Sequence, residues 1–284
     1  MVYRRNASLR YFHARFIVGV HAPARSSRLE GVKVPVKTPW VDLRPLIKED
    51  LTRDLESGNH VLIAAPTGGG KTTLATKGIL PMFTNVADIL VIDSTADPKL
   101  RDFGKPYAKY GKIKGLRRLS VHDLSPEASA KIHRAMNKAY KQGECVVFID
   151  EIRHIVDPQF LRLRAAAESM LLFSRKRRNV VIGLTQAPRW IPSAFYDQTR
   201  LQFIFRIRDK RAMLRLAEIG GDTETLKAIV PSLAKFEFAY VNSDGDVTTS
   251  KFDIPKTQPG EKKHSRVLSE SAPTRRIVVT PSKG

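Results

Sequence analysis

Between residues 61 and 252 the chain alternates short apolar runs with longer stretches whose apolar residues recur every three or four positions. Val61–Ala65, Ile89–Ser94, Cys145–Ile149, Val180–Thr185 and Leu201–Ile207 are runs of nearly continuous Val, Ile, Leu and Phe. Such runs predict strands covered on both faces. Lys71–Ile79, Pro126–Gln142, Pro158–Arg175 and Asp209–Glu218 predict helices. Ser125 before Pro126, and Asp157 before Pro158, read as caps followed by proline at the first helical position. Strand–helix alternation of this kind predicts an α/β fold with a mostly parallel central sheet flanked by helices. Phe236–Val241 and Val247–Phe252 predict a C-terminal β-hairpin turning through Asn242-Ser243-Asp244-Gly245.

The patterned region, 39–254, is predicted to be one domain. Residues 1–38 read as a basic N-terminal arm, and the Pro/Ser/Lys-rich residues 255–284 as a basic, poorly ordered tail. Hydrophobic residues make up 42% of the chain, enough for a sizeable core, yet no run approaches the roughly 20 apolar residues of a membrane span. The basic start MVYRRNASLR carries no small-residue cleavage site, so it is not expected to be a secretory signal. A single cysteine, Cys145, excludes an internal disulfide and a cysteine-based zinc site; it reads as a small buried apolar residue, in keeping with a reducing cytoplasm.

Charge changes the picture most. Lys and Arg exceed Asp and Glu by 49 − 28, a net +21 spread along the whole chain. A polyanion is the implied partner, because each phosphate neutralised releases counterions. KGLRR (Lys114–Arg118) and the pair Lys210–Arg211 are candidate loops for gripping such a polyanion.

The candidate chemistry begins at the first strand. Ala65–Thr72, APTGGGKT, nearly fits the phosphate-binding pattern G-x-x-x-x-G-K-[ST], with Ala65 where the first glycine stands. Behind Pro66 and Thr67, the glycines Gly68, Gly69 and Gly70 let main-chain N–H groups converge on phosphate oxygens, and the helix opening at Lys71 adds its positive end. Lys71 is expected to reach the β- and γ-phosphates, Thr72 to ligate Mg²⁺, and Thr73 to bond an inner phosphate. The expected cofactors are ATP and Mg²⁺.

GECVVFIDE (Gly143–Glu151) is an apolar strand ending in two carboxylates. On a strand neighbouring the glycine loop, Asp150 would hold Mg²⁺ through water and Glu151 would polarise the attacking water. Asp93, closing VIDST, is the weaker magnesium candidate. NVVIGLTQAP ends in Gln186, placed to bond the γ-phosphate or the lytic water. The cluster SRKRRN (Ser174–Asn179) closes a predicted helix, where cations balance the dipole. One of its arginines could instead reach a neighbouring subunit's γ-phosphate; Arg175 is the first choice, with Arg177, Arg178 and Arg206 left open.

In order, APTGGGKTT, CVVFIDE and SRKRRNVVIGLTQAPRWIPSAFYDQTRLQFIFRIRDKRAMLRLAEIGG resemble the FtsK/HerA family of DNA-translocating ATPases over roughly residues 40–242. Arg175 falls at that family's arginine, Gln186 at its sensor glutamine and Phe205-Arg206-Ile207 at its last core strand. LTQAP rather than ATQRP and the alanine at position 65 are departures from the cellular members. The resemblance implies a RecA-like core, a homo-oligomeric ring of five or six subunits, and ATP-driven movement of double-stranded DNA through its centre. The short chain looks most like the minimal genome-packaging ATPases of viruses. That implies capsid or portal-vertex proteins as partners, and a place in the host cytoplasm or at the virion packaging vertex. A conjugation or plasmid-mobilisation pump and a filamentous-phage assembly ATPase are the alternatives. A nucleotide-binding virion scaffold fits the intact Lys71, Asp150 and Glu151 set poorly, and a small-molecule kinase would need no Gln-tipped strand.

Overall fold

The computed structural model describes residues 35, 37–57, 60–107, 111–218 and 221–252, all within the unit Val34–Gly284. Residues 1–34, most of the expected arm, and 253–284, which hold the expected tail, lie outside the described residues. In chain order the elements are α1 (Trp40–Ser57), β1 (His60–Ala64), α2 (Lys71–Leu74), β2 (Asp88–Asp93), β3 (Lys105–Pro106), β4 (Leu116–Ser120), α3 (Pro126–Gln142), β5 (Cys145–Ile149), α4 (Ile152–Val156), α5 (Arg164–Phe173), β6 (Val180–Thr185), α6 (Ser193–Asp197), β7 (Thr199–Phe205), α7 (Lys210–Ala217), α8 (Thr223–Ile229), β8 (Glu237–Val241) and β9 (Val247–Lys251). They form one nine-stranded sheet ordered β3-β4-β2-β5-β6-β1-β7-β8-β9. The pairings from β3 through β7 are parallel, and the hairpin β8–β9 adds antiparallel to β7. The expected α/β fold is borne out.

The apolar runs form strands because the sheet has a core on each face. Alternate residues of β1 point opposite ways. Leu62 and Ala64 join Ile132, Met136 and Met170 from α3 and α5 on one side. Val61 and Ile63 join Leu43, Ile47 and Leu51 from α1, with Leu74 and Ile79, on the other. With both faces dry, β1, β5 and β6 are buried along their whole length, and polar residues survive only at the tips. Gly183 in the middle of β6 is a packing requirement: a Cβ there would stand 2.6 Å from the Phe195 ring and 3.0 Å from Ile152.

Helix α3 begins as the sequence predicts, with the Ser125 hydroxyl accepting the Ala128 N–H at 3.1 Å and Pro126 following. The hairpin turns where expected: the Asn242 side-chain oxygen accepts from Asp244 and Asp246 N–H, and Gly245 has φ 85°. Three features differ from expectation. The helix predicted from Pro158 starts only at Arg164. The Asp157 carboxylate instead closes a turn on the Gln159 N–H, the chain doubles back so that Leu161 bonds to the His154 carbonyl, and Arg162 takes φ 57°. Leu161 is thereby buried. KGLRR is no free loop: Leu116–Ser120 pairs with β2, and Arg118 is half-buried and donates to the Leu100 carbonyl. Helix α1 was not foreseen; its Leu43, Ile47 and Leu51 recur every fourth residue and are buried.

One buried polar residue ties the base of the sheet together. His60 Nδ1 accepts the Val181 N–H at 3.0 Å, Nε2 donates to the Leu171 carbonyl at 3.0 Å, and the Ser174 hydroxyl lies 3.1 Å from that nitrogen. The ring is thus held neutral between β1, β6 and the end of α5, and burial pushes its pKa down to about 4. The unfolded chain takes up this proton first as pH falls, so the stability His60 contributes is complete above about 6.5 and is lost toward pH 4, roughly 3 kcal/mol in all. Urea midpoints between pH 6.5 and 4.5 are therefore expected to fall more steeply in the wild type than in His60→Gln; parallel profiles would remove His60 as the cause.

Candidate active site

The site lies at the carboxyl edge of the parallel strands, where the chain leaves β1, β5 and β6. After β1 the loop Ala65–Gly70 curls with φ 74° at Gly68 and 110° at Gly70. Gly70 caps α2 in a left-handed conformation, and a Cβ there would come within 2.9 Å of the Phe236 ring, so glycine is required twice over. Helix α2 continues directly into a π-helical segment, Ala75–Ile79, matching the predicted helix Lys71–Ile79. Lys71 and Thr72, at 9% and 6% exposure, are sunk beneath the loop, whereas Pro66, Thr67 and Gly68 are exposed. Thr73 is half-buried one residue further on.

The two carboxylates stand at the tip of β5, though not on the strand next to the loop. Strand β6 intervenes between β1 and β5, so the expected direct adjacency is corrected. The consequence is that Gln186, at the tip of β6, sits between the glycine loop and Glu151. The Thr67 hydroxyl donates to Gln186 Oε1 at 2.5 Å, and the Gln186 backbone N–H donates to Glu151 Oε2 at 3.2 Å. A second line runs beside it: the Thr72 hydroxyl lies 3.4 Å from Asp150 Oδ1, and the Thr95 hydroxyl donates to Asp150 Oδ2 at 2.7 Å. The first line joins β5 to the loop after β1, and the second joins it to α2 and to the chain leaving β2.

Asp150 and Glu151 are 4% and 5% exposed. Burial pushes the Glu151 carboxyl up to about 7, opposed by the Lys71 ammonium and by the N–H groups of Arg153 and Gln186. Burial also raises Asp150, against the Thr95 hydroxyl and Lys71. Burial thus works against charge on both carboxyl groups, and the Lys71 ammonium works in its favour. Asp93 is a different case. Its oxygens accept the Asp97 N–H at 3.0 Å and the Ser120 hydroxyl at 2.7 Å, so it knits β2 to β4 and is spent on structure.

No cluster of three or more His, Cys, Asp or Glu among the described residues could hold a metal by itself. What the site offers is one hydroxyl and one carboxylate, hard oxygen donors that fit Mg²⁺, an ion that ordinarily keeps waters and takes phosphate oxygens for the rest of its shell. Thr72 and Asp150 are the residues that would hold it.

Arg175 is exposed in the tight turn Ser174–Arg177, which leads into β6 from its amino end. The glycine loop leaves β1 from the opposite end of the same parallel sheet, so Arg175 and the loop occupy opposite edges. The structure therefore does not bring Arg175 to the site of its own chain. Arg206 is anchored on the Pro231 carbonyl at 3.1 Å, and Arg178 lies 3.5 Å from Glu144. Cys145 is fully buried, and its thiol is pushed up to about 12 by burial.

Sequence reasoning missed several neighbours. Thr95 lies two residues past Asp93 in VIDST and was readable only once β2 and β5 were known to pair. Trp190 was absent from the reading; it is 49% exposed, with the guanidinium groups of Arg153 and Arg189 at 5.2 and 5.3 Å from its ring. Trp40 packs edge-on against Phe238 and Phe252 and takes no part in the site.

A strand, a glycine turn, a sunken lysine and buried carboxylates on the next strand but one define a P-loop ATPase. Residues 61–209, more than half of the chain, match the model of the ATPase family associated with various cellular activities (AAA), and the chain belongs to that family. It is accordingly an ATP-binding, ATP-hydrolysing protein. The fold is shared with the DNA-packaging ATPase B204 of Sulfolobus Turreted Icosahedral Virus, at 18% identity and a TM-score of 0.57, over 69% of this chain and 98% of that one. It is shared equally with the genome packaging NTPase B204 of Sulfolobus turreted icosahedral virus 2 in complex with AMPPCP, at 16% identity and a TM-score of 0.59, over 69% and 98%. No curated protein matches the chain in sequence.

Lys71→Ala removes the buried ammonium under the loop. Binding of ATP, followed by calorimetry, is expected to weaken by at least about tenfold, the cost of roughly one charged hydrogen bond; unchanged affinity would refute the role assigned to Lys71.

Proposed function

We propose that this chain is an ATP-driven double-stranded DNA translocase that packages a viral genome into a capsid, working as a ring of five or six copies. The observation that carries the proposal is the match in fold over 98% of a DNA-packaging ATPase, which leaves little of that protein without a counterpart here. The net charge of +21 supports a polyanionic cargo. No helix among the described residues is long and apolar enough to cross a membrane.

In this reading Pro66–Thr73 cradle the triphosphate through main-chain N–H groups, and Lys71 meets the β- and γ-phosphate oxygens. Thr72 and Asp150 hold Mg²⁺, which when bound neutralises charge on the phosphates. Glu151 in its ionised form orients and polarises the attacking water. Gln186 reports the presence of the γ-phosphate, because its side chain already meets Thr67 and its N–H already meets Glu151. Loss of the phosphate then alters Gln186 and the Ala187–Trp190 segment beyond it. Arg175, on the far edge of its own sheet, serves the site of an adjacent subunit. Lys210 and Arg211, exposed on the first turn of α7, grip the DNA backbone without reading bases. Capsid or portal-vertex proteins at the packaging vertex are the chain's further partners, and the basic arm, 1–38, and tail, 255–284, add positive charge.

Two experiments test this. ATP hydrolysis by the wild type is expected to rise several-fold on adding duplex DNA, while Glu151→Gln keeps ATP binding and loses about 10² or more of turnover; wild-type hydrolysis in the variant would take Glu151 out of its role. Arg175→Ala subunits are expected to be inactive alone but to support hydrolysis when mixed with Lys71→Ala subunits, since each then supplies what the other lacks. Full activity of Arg175→Ala alone would contradict a finger acting between subunits.

A further inference from the structure

Beside the glycine loop a cleft of about 780 Å³ extends away from the carboxylates, between the chain leaving β7 and the chain entering β8. Its walls include Pro66–Gly69 on one side, and Phe205–Asp209 and Ala234–Phe236 on the other. The phosphates, Asp150 and Glu151 account for the end near Gln186; they leave the opposite end without a function. That end carries an unusual residue. Phe236 has φ 67°, a left-handed backbone that bulky side chains avoid. The conformation is fixed from both sides: the Glu237 carboxylate accepts the Ala234 N–H at 2.8 Å, the Glu237 N–H reaches the Ala234 carbonyl at 3.1 Å, and the Phe236 carbonyl accepts from Phe252 at 3.1 Å. The result is a half-buried ring set against Gly70, the residue before the phosphate-binding lysine, with the Lys235 ammonium 5.2 Å from its centroid.

We propose that Phe236 is the platform for the adenine base of ATP, with Lys235 beside it. This rests on the reading of the glycine loop as the triphosphate site. A nucleotide whose phosphates are threaded through Gly68–Thr73 must carry its base to one side of the loop. On the β5 side stand Gln186 and the carboxylates, so the open cleft toward β7 and β8 receives it. An aromatic face there stacks on a purine, and a stacked base is worth about a factor of ten or more in affinity. With this backbone the Phe236 ring stands against Gly70, while Phe238 packs with Phe203 in the core. Ring and cation read no hydrogen-bonding edge, so the platform holds purines by shape and π-face.

The test compares Mg-ATP with Mg-tripolyphosphate, which has the phosphates and no base, by calorimetry on the full chain. Wild type is expected to bind ATP at least about tenfold more tightly than tripolyphosphate. Phe236→Leu keeps apolar bulk against Gly70 and removes the aromatic face. It is expected to weaken ATP about tenfold while leaving tripolyphosphate within about twofold, and Phe236→Tyr is expected to restore ATP binding. Equal weakening of both ligands would mean that the ring only props the loop, and an unchanged ATP affinity would mean that the base lies elsewhere; either overturns the proposal. Failure of the wild type to bind either ligand would overturn the triphosphate site itself, and this platform with it.

Discussion

The rest of the site depends on one contact: the main-chain N–H of Gln186 donating to the buried carboxylate of Glu151. It exists because β6 is inserted between β1 and β5. A carboxylate one strand further from the glycine loop would be out of touch with it, were there no residue between them able to accept from one side and donate to the other. Glutamine at the strand tip does both, accepting from Thr67 through its side chain and donating to Glu151 through its backbone. The glycine loop and the Glu151 carboxylate are thereby linked through Gln186, and that residue opens the segment leading to Trp190, Arg189 and the cap of α7 at Asp209.

Burial sets the chemistry of this edge. A parallel sheet covered on both faces leaves its strand tips as the only dry places where polar groups can gather. Lys71, Asp150 and Glu151 are all below one-tenth exposed, and together they carry one potential positive and two potential negative charges. Removing water raises both carboxyl groups, and Lys71 pulls them back. The site is therefore an electrostatic compromise, with the hydroxyl groups of Thr72 and Thr95 set against the Asp150 carboxylate.

Much of this was legible in the chain itself, for definite reasons. Strands buried on both faces have to be written in Val, Ile, Leu and Phe, so β1, β2, β5, β6 and β7 announced themselves, and Ser125-Pro126 fixed the start of α3 to the residue. GGGKTT and FIDE could be read because phosphate chemistry demands particular residues at fixed spacing. What could not be read was order across the sheet. Parallel strands are joined by crossovers, and local pattern does not say which strand lies beside which, so the place of β6 and the pairing of Thr95 with Asp150 required the fold. Strand β4 was hidden because it lies beside the edge, flanked on one side by only the two-residue β3, where half-exposed positions tolerate charge, and LRRLS looks like a basic loop. The late start of α5 at Arg164 was hidden because Asp157-Pro158 is as good a turn as it is a helix cap. Phe236 was read only as the start of a strand; its left-handed backbone has no signature in a single sequence.

In the proposed function, hydrolysis at the β5–β6 edge moves duplex DNA. The measurement that addresses it most directly is displacement of a third strand from a triplex on linear duplex DNA, which requires directed motion and not mere binding. Strand release is expected with ATP and full-length protein, and none when a non-hydrolysable analogue replaces ATP. Steady ATP consumption on the same DNA with the third strand left in place would contradict the account.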